Sequence, residues 1–399
     1  MSTQSHRERF FALLEGREID RPLFFPDIQS WYDARRVPAG HEQKYGPGSF
    51  IPDEDPYHRD PGTMPPEYAD WTFLDFYRKF DWGLPVHLYG WCRAERVDCD
   101  VSSVTRDNER VTTLSTPKGT LRKTALMASD GSWAPHEYYV KTLDDLEALQ
   151  WLVSHERHIP DAAKYHRFRR ATEGFGVCDL VIHRSPFGKL VHEYMGFEQV
   201  IYALMDDEQR VMEFLEVQEK YDLEFIRIAA AYPARLVIIS DHADENLISP
   251  PHYRKYCVPF YQKACAILHE AGKMVSTHLD GNFAGFLPFI GETHFDLLDG
   301  CTPAPMFNYE PEELATAIRG AGGGTLHGAM NAFCGVPATL LTQRRPTGEI
   351  VAFGERILKA FDGRVILNIG DVLPQNGDIE QVVALGKMAG GGDILCAAG

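Results

Sequence analysis

The densest group of ionisable side chains in the sequence follows the apolar run RLVIISD. Asp241, His242, Asp244 and Glu245 fill four of five consecutive positions there. Carboxylate and imidazole groups at this spacing can transfer protons or bind a metal ion. A helix cap or a solvated loop is the ordinary alternative, but neither needs so many ionisable groups. We therefore predict catalytic roles for Asp241, His242 and Glu245, and we keep His242 also as a metal ligand.

A second group follows two other apolar runs, KMVSTH and RVILNIG. His278 and Asp280 are two residues apart, so in an extended chain they face the same direction. Such a pair can ligate a metal, or it can act as an acid with its orienting carboxylate, and a buried histidine bonded to a neighbouring strand is the structural alternative. Asp371 comes directly after the last run and adds a third acid. These three residues are the predicted metal ligands.

Two cysteines are weaker metal candidates. Cys257 completes the series H-x14-C-x20-H with His242 and His278, although it lies two turns inside a predicted helix. Cys301, in GCTPAP, is either a thiolate ligand or a core thiol. The eight cysteines include no C-x-x-C pair, so they predict neither a zinc ribbon nor a thioredoxin motif, and most should be reduced, buried thiols.

A third set of polar and aromatic residues is predicted to bind substrate. Arg184 suits a carboxylate or phosphate, with a surface salt bridge as the alternative. The aromatic pair after PLFFPD could line a pocket, although such residues more often pack in a core. A histidine within GTLHGAM lies in mid-strand, which favours a structural role. The full set is Asp27, Trp31, Tyr32, His183, Arg184 and His327.

Short apolar runs that alternate with helical patterns must position these residues. The runs at 177–183, 235–241, 273–278, 294–299, 324–330 and 364–370 predict strands of a parallel sheet. Six such strands in series suit an α/β fold, either a (β/α)8 TIM barrel or a doubly wound sheet, and both place ligands at the carboxyl ends of the strands.

The N-terminal half is less regular. A Pro- and Gly-rich stretch at 37–67 is predicted to form a loop over the barrel mouth. Alternating apolar and polar residues between 95 and 125 predict an antiparallel insertion. We expect a single domain over residues 1–399, with this loop and β insertion at about 37–125.

Composition excludes several classes of protein. The formal net charge of −17 argues against a nucleic-acid surface. No apolar run approaches the roughly 18 residues that a membrane-spanning helix needs. Charges throughout the N-terminal segment fit neither a secretory signal nor an anchor. We therefore expect a cytoplasmic protein with no nucleic-acid or membrane partner.

Several segments, in order along the chain, carry a family resemblance. They are RERFFALLEGREIDRP, STPKGTL, VKTLDDLEAL, IISDHADENLISPPHYRKYCVPF, HEAGKMVSTHLDGN, FDLLDGCTPAP and ILNIGDVLP. Together they resemble the uroporphyrinogen decarboxylase superfamily, especially its corrinoid-linked methyltransferase-like branch. The resemblance implies a (β/α)8 barrel. The chain lacks the Arg-rich M-R-Q-A-G-R segment of true decarboxylases, which argues against porphyrinogen decarboxylation as its reaction.

The resemblance also implies a metal site. The similar methyltransferases hold zinc with a His-x-Cys pair and a later Cys, and the matching positions here are His278, Asp280 and Asp371. Carboxylates also coordinate zinc, so the resemblance implies a divalent metal, zinc first among them. It implies methyl transfer from a small methoxylated or methylated compound.

Cobalamin would come only through a separate corrinoid protein, because no D-x-H-x-x-G segment is present. The alternative enzyme is a cofactor-independent decarboxylase or lyase that acts on a small carboxylic acid held by Arg184. A third alternative is a binding or scaffolding protein whose barrel has lost catalytic activity. A homodimer is an open alternative to a monomer.

Overall fold

The computed structural model describes residues 4–36, 64–128, 133–343 and 345–390. Strands in this part of the chain are β1 Leu23–Phe24, β2 Leu84–Leu88, β3 Cys92–Arg96, β4 Asp100–Arg106, β5 Glu109–Thr116, β6 Gly119–Met127, β7 Trp133–Glu137, β8 Glu156–Pro160, β9 Gly176–Ile182, β10 Leu236–Ile239, β11 Met274–His278, β12 Leu297–Cys301, β13 Asn331–Gly335 and β14 Ile366–Asn368.

Helices lie between most of these strands. They are α1 His6–Leu14, α2 Gln29–Arg36, α3 Phe73–Phe80, α4 Leu146–Ser154, α5 Ala162–Ala171, α6 Pro186–Lys189, α7 Phe197–Ala231, α8 Pro250–His252, α9 Val258–Glu270, α10 Pro311–Arg319, α11 Ala338–Thr342, α12 Thr347–Ala360 and α13 Ile379–Met388. No helix among the described residues is both long enough and apolar enough to cross a membrane.

Eight strands form one curled parallel sheet in the order β1-β14-β13-β12-β11-β10-β9-β2. From β9 to β14 the spatial order follows the chain order, as successive βαβ units produce. The backbone N–H of Gly83, just before β2, donates to the carbonyl oxygen of Phe24 in β1 at 3.0 Å. This bond links the two ends of the sheet, so the arrangement resembles a TIM barrel.

Along several strands, such as β9, β11 and β12, the inward side chains change from apolar at the amino end to polar at the carboxyl end. The first inward residues, such as Val177, Met274 and Leu297, pack with Phe10 of α1 in one buried cluster at the amino end. Side chains two and four positions further along a strand face the same way. The inward residues at the other end are therefore Asp179, His278 and Asp299. On these strands, the inward polar side chains that could bind a ligand lie at the carboxyl ends.

The structure corrects one strand prediction and adds one strand that was not predicted. The predicted strand at 324–330 is wrong, because that segment is a glycine-containing turn, with positive φ at Gly324 and Gly328, and β13 begins only at Asn331. His327 therefore lies exposed in a turn before β13, at the amino end of the sheet. Strand β2 was not predicted, since Pro85 and His87 interrupt its short apolar run.

The predicted antiparallel insertion is confirmed and extends further than expected. Strands β4 to β7 form a four-stranded antiparallel sheet, and β3 pairs with β8 in a second, two-stranded one. The predicted loop over the barrel mouth falls mainly on residues 37–63, which lie outside the described residues.

Candidate functional site

The carboxyl ends of the parallel strands carry a group of acids and imidazoles that we call the strand-end ring. Its eight members lie on or just after seven strands, β1, β2, β9, β10, β11, β12 and β14, and β11 supplies two of them. The ring consists of Asp27, His87, Asp179, His242, His278, Asp280, Asp299 and Asp371.

His278, the last residue of β11, is the best-positioned side chain of the ring. Its Nδ1 donates to Asp299 Oδ2 at 3.0 Å, and its Nε2 lies 3.5 Å from Asp371 Oδ1. Burial lowers the pKa of His278, but the bond to Asp299 and the charges of Asp371 and Asp280 raise it to about 9. A Cβ at Gly300 would lie 2.8 Å from the imidazole, so a glycine is needed there.

Three of the predicted metal ligands come together at this point. His242, His278 and Asp280 each offer a donor atom within 4.8 Å of the others. His242 Nδ1 lies 3.9 Å from Asp280 Oδ2. The backbone of His242 has a positive φ of 46°, and its N–H donates to the His278 carbonyl oxygen at 3.1 Å. This turn carries the His242 side chain back over the end of β11.

The donor set fits a divalent metal ion. Ligand atoms about 2.1 Å from a tetrahedral zinc lie roughly 3.4 Å apart, so these side chains must close in by about 1 Å. His242 and Asp280 are more than one-third exposed, which leaves room for that movement. A metal-binding histidine usually donates its other ring N–H to a carboxylate, as His278 does to Asp299. Metal binding at Nε2 would displace the proton that the raised pKa of His278 keeps there.

A second histidine–aspartate pair of the ring was missed by the sequence analysis. His87 Nδ1 donates to Asp179 Oδ2 at 2.7 Å. Burial lowers the pKa of His87, but the charges of Asp179, Asp299 and Asp27 raise it to about 10, so the imidazole is a cation at neutral pH. Burial raises the pKa of Asp27 to about 6. An aspartate within the apolar run VCDLVIH, and one after the apolar pair in FDLLDG, were the signals that could have identified Asp179 and Asp299.

The structure separates two predicted catalytic acids from the ring. Asp241 is only 2% exposed, and it accepts hydrogen bonds from the Ser185 N–H at 3.2 Å and from the Tyr261 hydroxyl. Glu245 accepts from the Gly285 N–H at 2.6 Å and from the Asn308 amide at 2.5 Å. Both carboxylates therefore hold loops together, and their predicted catalytic roles stay predictions that these contacts do not support.

Neither cysteine candidate belongs to the metal group found among the described residues. Cys257 is fully buried at the start of α9, beside Tyr253 and Asp241, and burial raises its pKa well above the usual range. Cys301 is buried opposite Cys334 on β13, and its Sγ lies 3.6 Å from the Leu298 carbonyl oxygen. A buried thiol with a raised pKa is a poor ligand, so the structure gives no support to either cysteine as a metal ligand.

Trp31 and Tyr32 pack away from the ring in an aromatic cluster with Phe76 of α3. Both side chains are less than 5% exposed beneath α3, so the structure does not bring them to the ring, and their pocket role stays a prediction.

His183 and Arg184 also have other partners. His183 stacks on Phe225, and its Nε2 lies 3.4 Å from Asp222 Oδ1. Arg184 lies 3.4 Å from Glu193. Of the predicted substrate-binding residues, only Asp27 is brought to the ring.

The chain is similar to known proteins over most of its length. The family model described as "Uroporphyrinogen decarboxylase (URO-D)" matches residues 130–389. A solved methyltransferase from Methanosarcina mazei is similar, with a TM-score of 0.56, 13% identity, and coverage of 97% of this chain and 98% of that one. A B12-independent methionine synthase from Shewanella sp. has a TM-score of 0.40, 9% identity, and coverage of 93% and 95%. At these identities the first likeness concerns the fold alone, and the second carries no argument. No curated protein matches the chain.

Proposed function

The chain belongs to the uroporphyrinogen decarboxylase (URO-D) family, and on that premise we propose that it is a metal-dependent methyltransferase. It takes a methyl group from the oxygen of a small methoxylated compound and passes it to a corrinoid held by a separate protein. Methyl transfer is also the activity in the name of the similar Methanosarcina mazei structure.

The proposal rests mainly on the side chains that surround His278. Its Nδ1 is fixed by Asp299, and its Nε2 faces Asp371 at 3.5 Å, with Asp280 and His242 close by. In this proposal His242, His278 and Asp280 hold a divalent ion, zinc first among them, and Asp371 supplies a fourth ligand. Bound there, the ion supplies Lewis acidity toward the methyl-bearing oxygen.

The protein itself supplies orientation and a proton. Asp299 fixes the ring plane and tautomer of His278, since one of its oxygens takes the Nδ1 proton. His87 holds a proton at Nε2 at neutral pH, because Asp179 binds its Nδ1 side and its pKa is about 10. When the methyl group leaves, His87 donates that proton to the alkoxide oxygen, so His87 is the proposed general acid.

The corrinoid partner completes the reaction in this proposal. A corrinoid with a reduced, nucleophilic cobalt forms the new bond to the methyl carbon, while the electron pair of the broken C–O bond stays on oxygen. A cytoplasmic location and a homodimer also stay predictions.

The decarboxylase alternative has less support. Arg184, which was predicted to hold the substrate carboxylate, pairs instead with Glu193. The carboxylates of the ring would also repel an anionic substrate.

The test is an assay of methyl transfer in which the absorbance spectrum of the corrinoid is recorded over time. Zinc-loaded protein is mixed with small methoxyarenes and photochemically or chemically reduced cobalamin as a free corrinoid acceptor. We expect the methylcobalamin spectrum to appear in step with release of the phenol, and we expect chelation of the metal to stop it. Carbon dioxide release from carboxylic acids, without any methylcobalamin, would contradict the proposal and favour the decarboxylase.

A further inference from the structure

Strand β4, Asp100–Arg106, is one edge of the four-stranded insertion sheet. It pairs with β5 on one side, and no other strand in the described part of the chain pairs with its second side. All seven of its residues are exposed, and Val101 and Val104, which point to opposite faces, are 40% and 55% exposed. Such a free edge carries backbone N–H and carbonyl groups that can pair with a strand of another chain.

The opposite edge of the same sheet, β7 Trp133–Glu137, is protected against such pairing. Pro135 has no backbone N–H to donate, and the pairing of β7 with β6 shifts register between Thr124 and Ala125. Strand β4 contains no proline, no lysine and no register shift, and the five residues between its ends are uncharged. Natural sheets use these devices to prevent contact between edges, so the edge that lacks them is the one available for a specific contact.

The sequence of β4, DVSSVTR, is complementary to itself in an antiparallel pair. If two copies are related by a two-fold axis at Ser103, Asp100 of each copy lies opposite Arg106 of the other. Val101 then lies opposite Thr105, and both are β-branched. Neither Asp100 nor Arg106 forms an ion pair with a described residue of its own chain. Opposite charges that face each other across two strands stabilise the pair and fix its register.

We propose that the protein forms a homodimer in which the β4 strands of two copies pair in antiparallel fashion about Ser103. The two four-stranded insertion sheets then join into one continuous sheet. The assembly closes at two copies, because the contact is two-fold symmetric and Pro135 blocks the β7 edge at each end of the joined sheet. This inference concerns the insertion alone and does not depend on the proposed function.

Charge reversal at the ends of β4 tests the pairing. In a dimer of identical copies, Asp100→Arg or Arg106→Asp places like charges opposite each other twice. We expect each variant alone to dimerise about tenfold more weakly than the wild type, or worse. An equimolar mixture of the two variants should restore the dimer, because each reversed charge then faces its opposite. Sedimentation velocity of the full chain over a wide range of concentrations gives the dissociation constants, and circular dichroism checks that these exposed substitutions keep the fold.

A disulfide between the copies tests the register. Directly opposite residues of an antiparallel pair have Cα atoms about 4.5–5.5 Å apart, a separation that a disulfide spans. Ser103→Cys should therefore oxidise to a covalent dimer. The matched control is Ser102→Cys, because in this register its Cα atoms lie about 8 Å apart, beyond the reach of a disulfide. Electrophoresis without reductant compares the two variants, and the wild type controls for the partly exposed native Cys99.

The dimer and its register can each be contradicted. A wild-type dimer that weakens in both single variants and returns in their mixture would support the proposal. A wild type that stays monomeric at every concentration would overturn it, and so would a dimer that tolerates both charge reversals. Cross-linking of Ser102→Cys as readily as Ser103→Cys would exclude the pairing about Ser103 and overturn the proposal as well.

Discussion

Two histidine–aspartate pairs lie at opposite ends of the same sheet. His269, at the end of α9, bonds through Nε2 to Asp296 Oδ2 at 2.8 Å, just before β12. His278, at the end of β11, bonds through Nδ1 to Asp299 within β12 at 3.0 Å. Both imidazoles are 13% exposed, so burial does not distinguish them.

The two pairs differ in what else their members contact. Asp296 also accepts the N–H groups of Val275 at 2.7 Å and Leu326 at 2.6 Å, which ties it to the backbone at the amino end. The second nitrogen of His278 instead faces Asp371, with Asp280 and His242 nearby. The same residue types therefore join structural elements at one end of the sheet and leave a ligand atom available at the other.

The largest expected effect is the loss of the ligand at the carboxyl end. His278→Ala should remove zinc binding and lower methyl transfer below detection, because it deletes the donor that Asp299 orients. The matched control is His269→Ala, which should keep both zinc and activity while its melting temperature falls. Metal analysis and the methylcobalamin assay check both variants. Equal zinc loss in the two variants would remove the distinction between the pairs.

His87→Asn should have the next largest effect. Loss of the general acid should slow transfer from methyl ethers with a basic alkoxide by about 100-fold or more. An ether that releases nitrophenolate needs no proton, so its rate should change much less. The two rates are measured by stopped-flow absorbance. The same fractional loss for both ethers would contradict a proton-donating role.

Asp299→Asn tests the orienting carboxylate. We expect zinc affinity and activity to fall by about 10- to 100-fold, the usual cost of losing the partner behind a metal-bound histidine. Competition with a chromophoric chelator measures the affinity, and circular dichroism checks that the fold is kept. Unchanged affinity would mean that Asp299 does not act through His278.

Asp296→Ala tests the pair at the amino end. The N–H groups of Val275 and Leu326 lose their acceptor, so the free energy of unfolding should fall by about 2–4 kcal/mol. Zinc stoichiometry should stay as in the wild type. Urea denaturation gives the first quantity and metal analysis the second, and zinc loss in a fully stable variant would be the opposite result.

The smallest effect is expected for the two cysteines. Cys257→Ala and Cys301→Ala should leave zinc affinity within about twofold of the wild type, since both thiols face the core, and each should cost about 1 kcal/mol of stability. A large fall in zinc affinity for either variant would restore that cysteine as a ligand.

The sequence predicted the sheet and part of the ring. Apolar runs identified six of the eight parallel strands by position, because the run at 21–27 also predicted β1. The polar residues at the ends of three of these runs contain His242, His278, Asp280 and Asp371. The sequence does not show which carboxylates accept hydrogen bonds from backbone N–H groups that are distant along the chain. Asp241 and Glu245 look like catalytic acids in the sequence, but residues 185 and 285 take up their oxygens.

The sequence analysis missed three members of the ring for a related reason. His87, Asp179 and Asp299 each stand alone in a short buried strand, and only the parallel register brings them together. Asp179 lies beside His87 because β2 and β9 pair in register. Asp299 lies beside His278 because β11 and β12 do so. Such pairings depend on the sheet order, which the spacing of residues along the chain does not contain.

Metal content measured together with activity tests the central claim most directly. Wild-type protein purified without added metal and His278→Ala are compared by elemental analysis and by formation of methylcobalamin. The account predicts about one divalent ion per wild-type chain, almost none in the variant, and methyl transfer only in the wild type. A metal-free wild type that transfers methyl groups at full rate would contradict it.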